Sequence, residues 1–339
     1  MKKALSNNIK ELVTLVLIIL VFIVGAIVKP EIFSGERFSE LVQSVLLWMP
    51  LILTVACGMM MAIIVKGTDL SVGSMVALTA MITGILFRDH GLPLWAGIIL
   101  SCVTGIICGA FNGFFISYMN IPAIIVTLGT YNAYRGLTYI LSGGTQVVGY
   151  ELPEGMSNVV TQGIKLGTLV IPWLVIISIV IAIIFFLILK YTHFGREVYA
   201  VGSNYEAAHL RGINCKKTVF LIFVIIGLLC GIAGMMSAAR YGYINPSNTG
   251  MGLEFVVISA TIIGGVSASG GAGSVHGVFL GCLLLGTVNT MIAMLGIPGT
   301  VQKFVYGVII VVALLVDRVV QTAQEKQRIA EHARREAAK

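Results

Sequence analysis

Residues 66–74, KGTDLSVGS, set one carboxylate, three hydroxyl side chains and two glycines between long apolar runs. Two kinds of chemistry suit that spacing. Thr68, Asp69 and Ser71 can each cap the amino terminus of a following helix, and Gly67 and Gly73 permit a tight turn or close packing. The same groups can instead line a break in a helix that faces a path through a membrane. Asp69 near apolar depth is costly unless it is paired, most simply with Lys66, or wetted by a cavity. Asn112 and Arg135 are the polar residues furthest from the ends of their apolar runs. Asn112 suits a hydrogen bond between helices. Arg135 keeps its proton and needs a carboxylate, carbonyls or water, which a water-lined path supplies. Glu254 opens a further run, where a carboxylate complements the positive end of a helix or lines the outer path. Thr68, Asp69, Ser71, Asn112, Arg135 and Glu254 are therefore the candidate path residues, and Asp69→Asn is expected to do more harm than Asn112→Ala.

A second constellation is polar throughout. In GSNYEAAHLRG, residues 202–212, Ser203 and Glu206 have the spacing of a capping box, in which each side chain bonds the other residue's backbone amide. Gly212 suits the position just past a helix end, and Arg211 in the last turn complements the dipole. The expected helix is about eight residues long, too short to stand alone. It reads either as a solvated connector or as a docking element, with Ala207 and Ala208 as a small-residue step that a partner surface approaches closely.

Enzymatic motifs do not accompany these groups. The chain lacks His-Glu-x-x-His, Gly-x-Ser-x-Gly and a Walker lysine. The run GGVSASGGAGSVHG, residues 264–277, is glycine-rich but no Gly-Lys-Ser/Thr follows, so close packing at a turn explains it better than phosphate binding. His276 stands alone. No metal site, catalytic residue or resident cofactor is expected, and energy for any active process must arrive from another polypeptide.

The elements that hold these residues are membrane helices. Charged residues make up 11% of the 339 and hydrophobic ones 57%, whereas soluble domains carry about a quarter charged. The apolar runs approach the roughly 20 residues that a helix needs to cross a bilayer. The expected spans are 12–28, 44–65, 70–87, 94–117, 123–141, 168–189, 218–238, 255–267, 276–294 and 301–316. The net charge of +7 is topological and implies no nucleic-acid partner: with both termini in the cytoplasm, fifteen of the 22 Lys and Arg fall inside and six outside, with Arg135 within a span. The first apolar run is too long for a signal peptide and lacks a clean cleavage site. Five of the six cysteines lie in spans; Cys215, in the inner loop, is expected to be reachable from the cytoplasm.

The fold class is thus an all-α integral membrane protein of about ten helices. It forms one domain, 1–339, with spans over 12–316, an inner loop 190–217 and a cytoplasmic tail 317–339. A weak internal repeat accompanies it. Gly109-x-x-Asn112 followed by Ile121-Pro122 matches Gly286-x-x-Asn289 followed by Ile297-Pro298. The two spans lie five apart, so the copies cross in opposite directions, as in transporters built from inverted repeats.

Glu206-Ala207-Ala208-x-x-x-Gly212 resembles the Glu-Ala-Ala loop of permease subunits of ATP-binding-cassette importers, although Val224 and Ile225 stand where the usual continuation has Leu-Pro. GTDLSVGS, GAFNGFF, IPAIIVTLGT with YRG, GREVYAVGSN, CGIAGMM, and GMGLEFVVISATIIGG with GGAGS are similar to the ribose-type, simple-sugar branch. Together they cover most of residues 57–277. Thr68 and Ile124 depart from the residues common in that branch. The resemblance implies a multi-pass bacterial inner-membrane permease importing a small neutral sugar or sugar-like molecule, such as ribose, rhamnose or autoinducer-2. It also implies a second permease copy or paralogue, surrounding lipid, a periplasmic binding protein and a cytoplasmic ATPase that binds the ATP. Ser203, Glu206, Ala207, Ala208, Arg211 and Gly212 would then receive the ATPase. A branched-chain amino-acid permease and a membrane-embedded enzyme or scaffold are the rival readings.

Overall fold

A computed structural model describes residues 2–298 except Thr168, together with five single positions between 301 and 311. The chain forms α1 (Lys2–Val28), α2 (Gly35–Ile64), α3 (Val72–His90), α4 (Leu94–Ser117) and α5 (Ala123–Ser142). A one-turn α6 (Asn158–Thr161) and a hairpin of β1 (Gly163–Leu166) and β2 (Leu169–Pro172) lead to α7 (Trp173–Tyr191). Then follow α8 (His193–Ser203), α9 (Tyr205–Leu210), α10 (Cys215–Tyr241), α11 (Leu253–Ile263) and α12 (Val275–Met294). The tenth expected span, 301–316, and the tail 317–339 lie outside the described residues, apart from those single positions.

Among the described residues, seven helices, α1, α2, α3, α4, α7, α10 and α12, are long and apolar enough to cross a membrane. Helix α5 has 20 residues but mixes hydroxyls, Asn132 and Arg135 into its length. Helix α11 has only 11 residues, which at about 1.5 Å per residue covers about half a bilayer. The sixth span starts later than expected. Residues 163–172 pair as an antiparallel hairpin, Lys165 opposite Val170, and the helix begins at Trp173. Pro172 accounts for that start, because the residue before proline disfavours helix and proline itself opens one well. The inner loop 190–217 is also more structured than expected, since it contains both α8 and α9.

Helix α2 is apolar on every side because it lies at the centre, between α10, α12, α7 and α11. Met59, Met60 and Met61 are consecutive and fully buried. Helix α1 packs against α12 and turns most of its other faces outward. Cys215 is 2% exposed and packs beside Val201 and Ala208, so it is a poor reporter of sidedness, contrary to expectation.

Helix α4 is built inside out. Its buried positions are Gly97, Ser101, Gly105, Cys108, Gly109, Asn112, Gly113 and Ser117, while Trp95, Ile99, Ile107 and Phe111 face outward. In a bilayer, lipid is as apolar as leucine, so helices associate through close backbone packing and polar groups instead. The buried stripe serves that purpose against α10. A Cβ on Gly105 would strike the Gly227 carbonyl, one on Gly109 the Phe223 carbonyl, and one on Gly231 the Ser101 carbonyl. The Ser101 hydroxyl donates to the Gly231 carbonyl at 2.7 Å. This seam is the most extensive helix contact in the described structure.

The seam predicts a sharp asymmetry between the faces of α4. Overpacking a dense core costs about 1–3 kcal/mol, and Gly109→Val must also push the two backbones away from each other. Melting in detergent is expected to drop for Gly109→Val and to stay unchanged for Ile107→Leu on the outward face. Equal melting temperatures for the two variants would refute the seam.

Candidate functional site

The chain leaves α2 through a capped turn and re-enters the bundle before α3 begins. Lys66 takes a left-handed conformation (φ 63°), Lys66 N–H donates to the Ile63 carbonyl and Gly67 N–H to the Ala62 carbonyl. This is the Schellman pattern that satisfies the last carbonyls of a helix. Lys66 points to solvent and does not pair with Asp69, so the expected ion pair is absent. The ion pairs among the described residues are Arg37–Glu31 and Arg88–Asp89.

Asp69 is fully buried and bonds locally instead. One carboxylate oxygen, Oδ1, accepts from the Ser71 amide at 2.8 Å and from the Ser71 hydroxyl at 2.6 Å. The side chain thus folds onto the backbone two residues ahead, as short acids do at turns. Ser71 is the N-cap residue of α3 but makes no side-chain cap bond of its own. Asn112 Nδ2 donates to the Ser71 hydroxyl at 2.8 Å. The Tyr134 hydroxyl lies 2.9 Å from the Cys108 carbonyl and 3.3 Å from Asn112 Oδ1. Thr127 adds a bond to the Thr68 carbonyl at 3.3 Å. One polar chain therefore runs from the bend before α3, through α4, to α5.

Arg135 and Glu254 form a neighbouring group. Arg135 Nη1 donates to the carbonyls of Pro246 (3.0 Å) and Thr249 (2.8 Å), so it clamps the turn that leads into α11. Glu254 sits in the first turn of α11, 2% exposed, with its carboxylate against Gly73. Gly73 and Gly250 touch reciprocally: a Cβ on either would strike the other's carbonyl oxygen. The amino termini of α3 and α11 therefore meet inside the bundle. Asp69 Oδ2, Ser74 Oγ, Arg135 Nη2 and Glu254 Oε2 are buried there without a hydrogen-bond partner among the described residues.

Tyr134, Thr127, Ser74 and Gly250 were not among the sequence candidates. The signal existed for α5: Thr127, Thr130, Tyr134, Thr138 and Ser142 recur at helical spacing and are its buried residues.

The polar stretch 202–212 differs from expectation in its cap. Ser203 closes α8, and Asn204 caps α9 by accepting the Ala207 amide at 3.0 Å. Asn204 has the extended backbone that a cap requires, and Ser203 is already helical, so the Ser203–Glu206 box does not form. Ala208 is also not an exposed step. It is 3% exposed and packs with Val201, Cys215 and Ile213, whereas Ala207 faces solvent. Gly212 takes φ +83°, its N–H donates to the His209 carbonyl, and Ile213 N–H donates to the Ala208 carbonyl. A second Schellman end thus folds Ile213 back onto Ala208. The outward surface of α9 carries Tyr205, Glu206, Ala207, His209 and Leu210, the last 87% exposed, with Arg211 beyond it.

Comparison with known proteins decides the family. Residues 41–314 match the family described as branched-chain amino acid transport system / permease component. The chain belongs to that family. The autoinducer 2 import system permease protein LsrC of Escherichia coli (strain K12 / DH10B) is 30% identical over 326 residues, covering 96% of this chain and 92% of its own. The protein of the same name from Salmonella typhimurium (strain LT2) is 30% identical over 317 residues, covering 94% and 88%. No solved structure matches the chain. This permease is thus a multi-pass inner-membrane subunit of a sugar-type ATP-binding-cassette importer. Such subunits work with an ATPase and a substrate-binding protein.

The network geometry ranks two variants of the permease. Asn112→Ala takes a partner from both the Ser71 hydroxyl and the Tyr134 hydroxyl, and an unsatisfied buried polar group costs about 1–3 kcal/mol. Tyr134→Phe removes a single hydroxyl and takes only the long 3.3 Å bond from Asn112 Oδ1, while Asn112 Nδ2 keeps Ser71. Asn112→Ala is expected to lower the detergent melting temperature more than Tyr134→Phe, and the opposite order would break the proposed chain of bonds.

Proposed function

We propose that this permease imports a small, neutral, sugar-like molecule of the autoinducer 2 kind, past the point where the amino termini of α3 and α11 meet. The observation that carries the path is the group of four buried polar atoms, on Asp69, Ser74, Arg135 and Glu254 beside those termini, that have no hydrogen-bond partner among the described residues. Hydroxyl groups or water satisfy such atoms when a path opens, and a neutral substrate leaves no fixed charge behind. Discontinuous helices whose ends meet at membrane depth are the usual setting for substrate sites in transporters. Thr68, Asp69, Ser71, Asn112, Arg135 and Glu254 are the proposed path residues, with Ser74 and Tyr134 added.

The spacing of the helix starts supports reading this placement as the centre of an inverted repeat. Gly35, Val72 and Leu94 start α2, α3 and α4, and Cys215, Leu253 and Val275 start α10, α11 and α12, each trailing its counterpart by 180 or 181 residues. Contacts exchange accordingly, with α4 on α10 matched by α12 on α2. The reciprocal contact of Gly73 with Gly250 lies where a pseudo-two-fold axis between α3 and α11 would pass. The charge asymmetry supports ten crossings in a single domain with both termini, the inner loop 190–217 and the tail 317–339 in the cytoplasm. A second permease copy or paralogue completes the path.

The arm formed by α8 and α9 is the proposed ATPase dock. Leu210 and Tyr205 supply exposed apolar contact, Glu206 and Arg211 supply charge, and Gly212 holds the arm's shape. Ala208 acts from behind, by packing, and Ser203 ends α8 at its junction with α9. ATP is bound by the partner alone.

Branched-chain amino acids are the alternative cargo, named by the family description. The relatives' names favour the sugar-like reading, and the hydroxyls of Ser71, Ser74 and Tyr134 suit a substrate rich in hydroxyls as both donors and acceptors. Reconstitution in vesicles with the cognate ATPase and binding protein tests it: labelled autoinducer 2 is expected to accumulate with ATP, and labelled leucine is not. Leucine uptake without autoinducer 2 uptake would reverse the assignment.

Sidedness and docking have their own test. Lys217→Cys, at an exposed position, is expected to react with an impermeant thiol reagent only from the cytoplasmic face. Leu210→Asp is expected to reach the membrane at normal abundance yet shed the ATPase and lose uptake. An ATPase retained at full level, with normal uptake, would make α9 a connector.

A further inference from the structure

The glycine-rich loop 264–274 joins α11 to α12 and lies nowhere near the polar chain in sequence. In space it closes a three-way backbone junction. Ile64 contributes the last helical carbonyl of α2, which the Schellman turn at Lys66 and Gly67 leaves without an intrahelical partner. Gly271 N–H donates to that carbonyl at 2.9 Å. Gly202 of α8 packs on the same atom, where a Cβ would strike the Ile64 oxygen. A Cβ on Gly270 would fall 2.8 Å from the Ile64 oxygen, 3.0 Å from the Gly202 oxygen and 2.6 Å from Lys66 Cγ, and one on Gly271 would fall 2.9 Å from Ser203 Cα. One turn earlier on α8, the Tyr199 hydroxyl donates to the Gly273 carbonyl at 2.9 Å. Val65, at the end of α2, packs against the cluster of Val201, Ala208 and Cys215 that underlies α9.

Backbone meets backbone on three sides of this junction, and packed interiors transmit displacement because they hold no slack. Immediately beyond Ile64 the chain enters the bend that carries Thr68, Asp69 and Ser71. Ser274 closes the loop by capping α12 and donating to Glu11 of α1 at 2.7 Å, which anchors its far end.

We infer that loop 264–274, through Gly271, Gly202 and Tyr199, is the positioning element that transmits movement of the α8–α9 arm to the bend 65–71 at the polar network. This rests on the reading of that arm as the ATPase dock. Gly202, Gly271 and Tyr199 then serve transport without touching substrate or nucleotide, and a displaced α8 shifts the Ile64 end of α2 because the loop fills the space between them.

The test uses the complete importer, with permease, ATPase and binding protein in nanodiscs. In the unmodified complex, ATP is expected to change deuterium exchange in peptides spanning 65–71 and 264–274 as well as 204–214. Tyr199→Phe removes one hydroxyl and Gly271→Ala adds one methyl. Both are expected to keep the ATPase bound, lose the exchange change at 65–71, and lower uptake about tenfold, within the usual range of coupling between sites. Gly271→Ala has the larger steric consequence, so Tyr199→Phe carries the decision if the former fails to fold. Three results would each overturn the inference. They are ATP-driven change confined to 204–214 in the unmodified complex, normal uptake in Tyr199→Phe, and loss of the ATPase from Tyr199→Phe, which would place the hydroxyl in the dock itself. Failure of Leu210→Asp to shed the ATPase strikes the docking reading instead, so the two failures are separable.

Discussion

The close approach of α4 to α10 is the constraint on which the polar centre depends. Glycines four residues apart on both helices remove the Cβ from at least one side of each contact, so the backbones touch at Gly105–Gly227, Gly109–Phe223 and Ser101–Gly231. Inside a bilayer, that density of contact substitutes for the hydrophobic drive that lipid abolishes between apolar surfaces. Asn112 lies one turn beyond Gly109 on the same buried stripe. With α4 pinned at this distance, Asn112 reaches Ser71 and Tyr134 reaches both Asn112 and the Cys108 carbonyl. Held further out, α4 would leave the fully buried Ser71 hydroxyl with one partner fewer.

The same logic of small residues governs the ends of the broken helices. Gly73 and Gly250 let the amino termini of α3 and α11 touch, which brings Glu254 against α3 and leaves Arg135 to hold the turn before α11. Two helix amino termini meeting at depth concentrate partial positive charge, which buried carboxylates on Asp69 and Glu254 complement. Among the described residues this polar centre is incompletely satisfied, and it is flanked by a tightly packed seam. Rigidity in the seam and unsatisfied groups beside it suit a structure that must open at one place while remaining assembled at another.

On the inner side, two helix ends of the same type do different work. The Schellman turn at Lys66 ends α2 and leaves its Ile64 carbonyl to the glycine loop. The turn at Gly212 ends α9 and folds Ile213 onto Ala208, which fixes a six-residue helix that has too few internal bonds to persist by itself. Its stability is tertiary, supplied by Val201, Cys215 and Val65 from behind. The face left over, with Leu210 and Tyr205, is unencumbered.

The sequence by itself determined what local rules control: that long apolar runs must be membrane helices, where most of them begin and end, and that Gly212 must follow a helix in a left-handed turn. The span 94–117 coincides with α4, and 123–141 misses α5 by one residue, because proline, glycine and polarity mark those ends directly. Family membership was also legible, since GTDLSVGS, GREVYAVGSN and their companions keep order and spacing along the chain. Other features were decided only in three dimensions. Ser203 and Asn204 are both good caps, and the continuation of α8 through Ser203 settled the choice. Ala207 and Ala208 are identical in type, and only packing against Ile213 buried the second. Asp69 could reach Lys66 along the chain, but the left-handed turn at Lys66 sends the ammonium to solvent while burial hands the carboxylate to Ser71. Contacts such as Gly73 with Gly250 or Gly271 with Ile64 join segments far apart in sequence, and a glycine carries no side chain to announce its partner. Those contacts belong to the assembled bundle, because they exist only once other helices have set the distance.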